Sequence, residues 1–240
     1  MYGGLVLKFF DGQYPERGKQ LLDGRFYCAP LTDFRRGEAK EEASFINDPM
    51  EGYVIAKNPN YRTLKGEVGD KQFQRITHTS LENVGICCFV HLDLNRDFVH
   101  AGRGQAVIDP TVIEQLRYSF SDEPAVMWFE EEFSEMMEGI QIIDKDDICF
   151  ANYALVNYLE GIDGSYAHMG TSPKETLDYF LTKAVFQKQA RFSFQREFRL
   201  AALSTNIRTS SRTLVSQKPA RGQIFPNLET LRGITLDEVF

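Results

Sequence analysis

The sequence predicts a single α+β domain over residues 1–240, with mixed or antiparallel sheets and flanking helices. Three observations predict it: strand-like and helix-like segments alternate from the first residues, the C-terminal third is strand-rich, and no internal repeat or low-complexity linker divides the chain. A chain of 240 residues is long enough for a substantial core. With 42% hydrophobic and 25% charged residues, collagen-like, coiled-coil and wholly disordered classes are excluded.

Leu5 to Phe10 is a short apolar and aromatic run followed by Asp11-Gly12, which reads as a strand and turn. Pro15 opens a two-turn helix that offers Leu21 and Leu22 to the core and stops at Gly24. Arg25 to Pro30 is a second strand, ended by its proline. From Thr32 to Asn60 apolar periodicity disappears and charge concentrates between Arg35 and Glu42, so the stretch reads as a surface loop. Gly85 to Val90 is continuously apolar and short, as in a buried strand.

Asp109-Pro110 places an acid at the N-cap and proline at the first position of the next helix. Between Asp122 and Gly139, Val126, Phe129, Phe133, Met136 and Met137 recur at helical spacing, with Trp128 flanking that face. Gln141–Asp144 and Asp147–Phe150 read as strand fragments, and Ala151–Glu160 as a helix ended by Gly161. Ser172-Pro173-Lys174-Glu175 is a capping box opening a helix over Pro173–Lys183. Strands are then expected over Phe192–Leu203, Thr213–Gln217 and Gly233–Phe240.

Charge and cysteine usage narrow the function. Twenty-seven basic against 34 acidic side chains give a net charge of −7, which argues against nucleic-acid binding through global charge and leaves room only for a local basic groove. Cys28, Cys87, Cys88 and Cys149 form no CxxC pair and lie mostly among apolar residues, which suits buried thiols in a reducing compartment. The four histidines are scattered, none four residues from another, so no metal is expected. The N-terminal apolar run is too short for a signal core and no run approaches a membrane span, so a soluble cytoplasmic protein without membrane contact is expected. Glu130-Glu131-Glu132 reads as a solvated helix face rather than a carboxylate site, and His91-x-Asp93 lacks a nucleophile at a recognisable turn. No phosphate-binding glycine loop is present.

The most informative stretch is Arg191 to Leu200. Phe192, Phe194, Phe198 and Leu200 share one face of an extended strand, and Ser193, Gln195, Glu197 and Arg199 share the other. An amide, a carboxylate and a guanidinium then lie in one row. The plain alternative is a half-exposed strand with a solvated Glu–Arg pair.

Together with Lys8-Phe9-Phe10, Phe26 to Pro30, Asn47-Asp48-Pro49-Met50-Glu51 and the helix and Lys188 ahead of it, this stretch resembles a large bacterial family of abortive-infection-related domains. The same order of elements resembles the ADP-ribosyltransferase fold, whose late strand carries a Q-x-E or E-x-E signature, matched here by Gln195-Arg196-Glu197. Two departures stand out: the Arg35–Ser44 stretch is interposed before Asn-Asp-Pro, and the first strand carries Lys8 where the best-known transferases have His or Arg.

The resemblance implies an NAD-dependent mono-ADP-ribosyltransferase, a toxin of a bacterial phage-defence or toxin–antitoxin system. Its co-substrate would be NAD, its acceptor a non-arginine group on RNA, such as messenger RNA, or on protein, and its partner a neutralising antitoxin. Breaking the nicotinamide–ribose bond builds positive charge on C1′ and the ring oxygen, which a fixed carboxylate stabilises. On this resemblance Glu197 is the catalytic carboxylate and Gln195 orients the acceptor. Lys8 holds the adenylate ribose or phosphate, Tyr27 stacks on the nicotinamide, Asn47, Asp48 and Glu51 shape a turn beside the cleft, and Arg199 joins the cofactor-binding set. Arg35, Arg36, Arg191, Arg208 and Arg212 are candidates for a basic groove. Two other functions use the same residues: a non-catalytic module sensing a nucleotide, RNA or protein, and a glycohydrolase that passes ADP-ribose to water.

Overall fold

The apolar run beginning at Leu5 forms, in a computed structural model of the chain, a strand buried on both faces near the centre of a large antiparallel sheet. The structure describes residues 3–34, 54–57, 73–76, 79–102, 104–141, 148–159, 173–204, 212–218 and 220–237. In chain order the strands are β1 (Gly4–Phe9), β2 (Arg25–Pro30), β3 (Val54–Lys57), β4 (Phe73–Ile76), β5 (Val84–Asp93), β6 (Phe98–Gly102), β7 (Gln105–Ile108), β8 (Ala125–Phe129), β9 (Ile140–Gln141), β10 (Ile148–Leu155), β11 (Asn157–Leu159), β12 (Gln187–Gln189), β13 (Glu197–Ser204), β14 (Arg212–Ser216), β15 (Gly222–Phe225) and β16 (Thr235–Asp237). The helices are α1 (Glu16–Leu22), α2 (Leu94–Asp97), α3 (Pro110–Phe120), α4 (Glu130–Glu138), α5 (Pro173–Thr182) and α6 (Leu228–Leu231). The architecture is α+β, as expected.

The main sheet runs β15-β8-β1-β5-β2-β14-β9, and β13 adds to β5 and carries β10. Its branch point positions the candidate site. β13 pairs antiparallel with β5 from Val84 to Val90, filling one edge. The opposite edge is shared: β1 pairs with Val90 to Asp93 and β2 with Gly85 and Ile86. The sheet therefore splits between β1 and β2, leaving Cys87 to Phe89 unpaired on that edge.

Alternation along β5 separates the cores. Cys87 and Phe89 face a cluster with Phe26, Trp128, Phe133 and Met136, covered by α1 and α4. Phe89 is its aromatic hub, edge-on to Phe26, Trp128, Phe133 and Phe198. On the other face, Val90 and Leu92 join Leu5, Leu7 and the inner side of α3 and α6, whereas Ile86 joins Phe180, Val185 and Phe186 around α5. The seam between these two cores lies over the split.

Local signals held where they were backbone-specific. Asp109 caps α3, its side chain accepting from the Thr111 N–H at 2.7 Å. Gly24, at φ +72°, makes the left-handed turn between α1 and β2. α5 begins at Pro173 and ends one residue short of the expected Lys183.

Four expectations need correction. Ala125–Phe129 is a strand, not the start of a helix, because β1 and β15 pair with both its edges; the helix begins only at Glu130. Ile148–Leu155 is a strand hydrogen-bonded to β13, so tertiary pairing overrides the helix-forming alanines of Ala151–Glu160. The Thr32–Asn60 stretch is not loop throughout: it contains β3, which pairs with β4 beyond it. Phe192–Leu203 is not one strand: Ala190–Gln195 is a 3-10 turn and β13 starts at Glu197. Among the described residues no helix is long and apolar enough to cross a membrane.

Candidate functional site

The split in the sheet opens a cavity of about 250 Å³ on the α3 and α5 face. Its walls are largely apolar and aromatic, with Phe9, Phe34 and Phe120 among them, and Phe9 stacks on Phe120 at 4.3 Å. Four sequence-predicted residues from three distant segments line it: Lys8 from β1, Tyr27 from β2, and Gln195 and Glu197 from the turn and strand that follow α5. Tyr27 is 61% exposed, at the mouth. Lys188, Cys88 and Ser119 complete the polar lining.

Register puts Lys8 beside Phe89, and its Nζ lies 5.6 Å from the centre of that ring. The ammonium reaches into the split and donates to the Cys88 carbonyl oxygen at 2.8 Å, satisfying backbone that neither β1 nor β2 pairs. Among the described residues Lys8 forms no ion pair, so its charge is directed at the cavity without a carboxylate partner.

Glu197 is 5% exposed and held from several sides. Its Oε1 accepts from Arg199 Nε at 2.5 Å, its Oε2 lies 2.7 Å from Lys188 Nζ, and its backbone N–H donates to the Tyr158 hydroxyl oxygen at 2.8 Å. Lys188 also donates to Gln195 Oε1 at 2.8 Å, so one ammonium bridges both members of the Gln-x-Glu pair. Burial pushes the Glu197 carboxyl up, but the Arg199 and Lys188 charges outweigh it and hold the group far below the usual carboxylate range. Burial, reinforced by the Glu197 charge, raises the Tyr158 hydroxyl, which stays protonated. The same two causes push the Cys88 thiol well above its ordinary value.

Arg199 does not line the cavity. It is fully buried beneath Glu197, where Nη1 donates to the Val185 carbonyl oxygen, and it acts on the pocket through that carboxylate. Gln195 and Glu197 reach the pocket by a different route from the uniform strand expected, because Arg196 between them adopts φ +48°. A left-handed residue with a Cβ costs about 1 to 2 kcal/mol and needs compensating contacts.

Asn47, Asp48 and Glu51 lie outside the described residues, as do Arg35, Arg36 and Arg208. Of the basic-groove candidates Arg191 is exposed, packed over the Phe192 ring at 4.8 Å. Arg212 places its backbone opposite Cys28 in the β14–β2 pairing.

Sequence reasoning gave Tyr158 no role, read Cys88 only as a buried thiol and used Lys188 only as part of the resemblance, with no place in the site. Lys188 carried the strongest signal, a lysine following the apolar Ala184-Val185-Phe186 and preceding Phe192. Tyr158 had none, since its partner lies 39 residues away. The arrangement can receive a ligand that combines an aromatic ring with an anionic group: rings line the walls, two ammonium groups reach the cavity, and a carboxylate with an amide sits beside them. Comparison with protein-family models, curated proteins and solved structures finds no match to this chain.

Proposed function

We propose that the split-sheet cavity binds NAD and that the chain is a mono-ADP-ribosyltransferase with an ADP-ribosyltransferase-like fold. The observation that carries this reading is the convergence of Lys8, Tyr27, Gln195 and Glu197 on one cavity from separate parts of the chain. A cavity of about 250 Å³ suits the nicotinamide–ribose half of the dinucleotide, with Tyr27 at its mouth to stack on the nicotinamide. Lys8, lacking a carboxylate partner among the described residues, faces the diphosphate. Glu197 faces the ribose 2′-hydroxyl and the charge that develops as the C1′–nitrogen bond breaks. Nicotinamide leaves with the bonding pair, an acceptor oxygen or nitrogen bonds to C1′, and its proton passes to solvent. Lys188 must exchange Glu197 for the ligand's phosphate in this scheme, so that the carboxylate is released as NAD enters.

The acceptor is a non-arginine group on RNA or protein. In the cell the chain acts in the cytoplasm as a defence or toxin–antitoxin effector with a neutralising partner. One observation favours a second reading, a non-catalytic nucleotide sensor: Glu197 is already ion-paired with both Lys188 and Arg199, which lowers what it offers a developing cation.

The deciding experiment incubates the purified chain with labelled NAD, lysate and total RNA, with and without nuclease, beside Glu197→Gln. Label on RNA or protein that vanishes in the variant is the expected result and names the acceptor class. NAD consumed without labelled macromolecule selects the glycohydrolase; NAD bound but intact selects the sensor; no binding ends the NAD reading. Toxicity on expression should likewise be relieved by Glu197→Gln.

A further inference from the structure

Arg196 stands between Gln195 and Glu197 but does not line the cavity. Its left-handed backbone is held by its own side chain: Nε donates to Asp97 Oδ1 at 2.7 Å, and Nη1 donates to Gln115 Oε1 at 2.7 Å and to the Phe194 carbonyl oxygen at 2.8 Å. Its carbonyl oxygen accepts the His91 N–H at 2.7 Å, which continues the line of β13 along β5.

Asp97 is fully buried. Besides Arg196 it receives Arg96 Nη2 at 2.8 Å and the Asp93 N–H at 2.9 Å, and its own carbonyl oxygen accepts the N–H of Asp109, the N-cap of α3. α3 carries Gln115 and, at its end, Ser119 and Phe120 of the cavity wall.

We propose that Arg196 and Asp97 form a positioning pair that locks the turn presenting Gln195 and Glu197 to Lys188 and ties that turn to the helix walling the cavity. In an extended strand residues 195 and 197 would stand about 7 Å apart. The left-handed residue folds the chain more tightly there, and one ammonium serves both side chains. A stabilising ion pair alone needs neither the positive φ nor the link to Gln115.

The inference rests on the proposed reaction only for its kinetic readout. Arg196→Gly keeps the left-handed backbone accessible while removing the guanidinium, and Arg196→Gly with Asp97→Asn removes both charges and so leaves the net local charge unchanged. In the full-length chain, the carbon-13 signal of the Glu197 carboxyl is titrated, and NAD turnover is measured alongside. Both variants are expected to move the Glu197 titration upward by about one pH unit or more. The kcat should fall about tenfold with KM changed less than about threefold. A wild-type titration in both variants overturns the inference, whatever the turnover. If the wild-type chain consumes no NAD, the reaction is dismissed and the titration alone decides the pair. Should the glycine variants fail to fold, Arg196→Lys, whose single ammonium cannot reach Asp97, Gln115 and Phe194 together, is read the same way.

Discussion

Lys188 Nζ and Glu197 Oε2 meet at 2.7 Å with their side chains 3% and 6% exposed, and the same ammonium holds Gln195. A buried pair of this kind owes its effect less to net attraction than to the penalty for breaking it, since either partner left alone is an uncompensated charge out of water. Glu197 faces two cations, so the two halves of the pair are unequal.

Removing Glu197 takes the carboxylate from both Lys188 and Arg199, whereas removing Lys188 leaves the carboxylate with Arg199. Glu197→Ala is therefore expected to cost about 3 to 5 kcal/mol. Lys188→Met should cost less, about 1 to 3 kcal/mol. Urea unfolding of both singles and the double checks this, with a coupling energy above about 1 kcal/mol expected. Activity lost in Glu197→Ala must accordingly be read beside its stability.

Acid should destabilise the fold through two named carboxylates. Asp97 is opposed by burial but held below its usual 3.8 by hydrogen bonds from Arg96 and Arg196. Glu197 lies far below its usual 4.5 for the reasons given above. Both are depressed in the folded state, so their contribution is complete above those unfolded values and drains away as pH falls through the folded ones. Stability should be level from pH 6 to about pH 5 and fall from there down to about pH 3, and Glu197→Gln should flatten that slope.

Cys88 is half-buried in the cavity, with its thiol pushed above the ordinary range by burial and then by Glu197. Alkylation at Cys88, followed by mass spectrometry of its peptide, should be slow at neutral pH and accelerate only in more alkaline solution than an ordinary cysteine requires. NAD should protect it; equal rates with and without NAD would count against ligand entry at the split.

Gly24 occupies φ +72°, and a Cβ there would come within 3.1 Å of the Ser216 side chain. Gly24→Ala should lower stability by about 1 to 2 kcal/mol, seen as a lower urea midpoint at unchanged slope. NAD binding should be unaffected, because the turn lies away from the cavity.

Phe89 packs edge-on against four aromatic rings and lies under Lys8. Phe89→Leu should cost about 1 to 3 kcal/mol through lost packing and disturb Lys8 as well. Phe26→Leu, on the same core but away from Lys8, should affect stability alone; thermal unfolding and NAD affinity measured on both variants separate the two effects.

Features written in neighbouring residues were legible before any folding: the α+β class, the cap at Asp109, the turn at Gly24, the buried run of β5 and the start of α5. Each depends on backbone chemistry within a few positions. The site was legible as a set of residue types, Lys8, Tyr27, Gln195 and Glu197, but not as an arrangement. Ala125–Phe129 and Ala151–Leu155 became strands only because β1, β15 and β13 offered edges to pair with, and residues far apart in the chain supplied those edges. Tertiary structure also decided that Arg199 supports Glu197 from beneath, that Lys188 bridges Gln195 and Glu197, and that Asp97, 99 positions before Arg196, holds the turn between them. Local propensity carries no information about such pairings, because burial and charge compensation are fixed only when distant segments close around the same space.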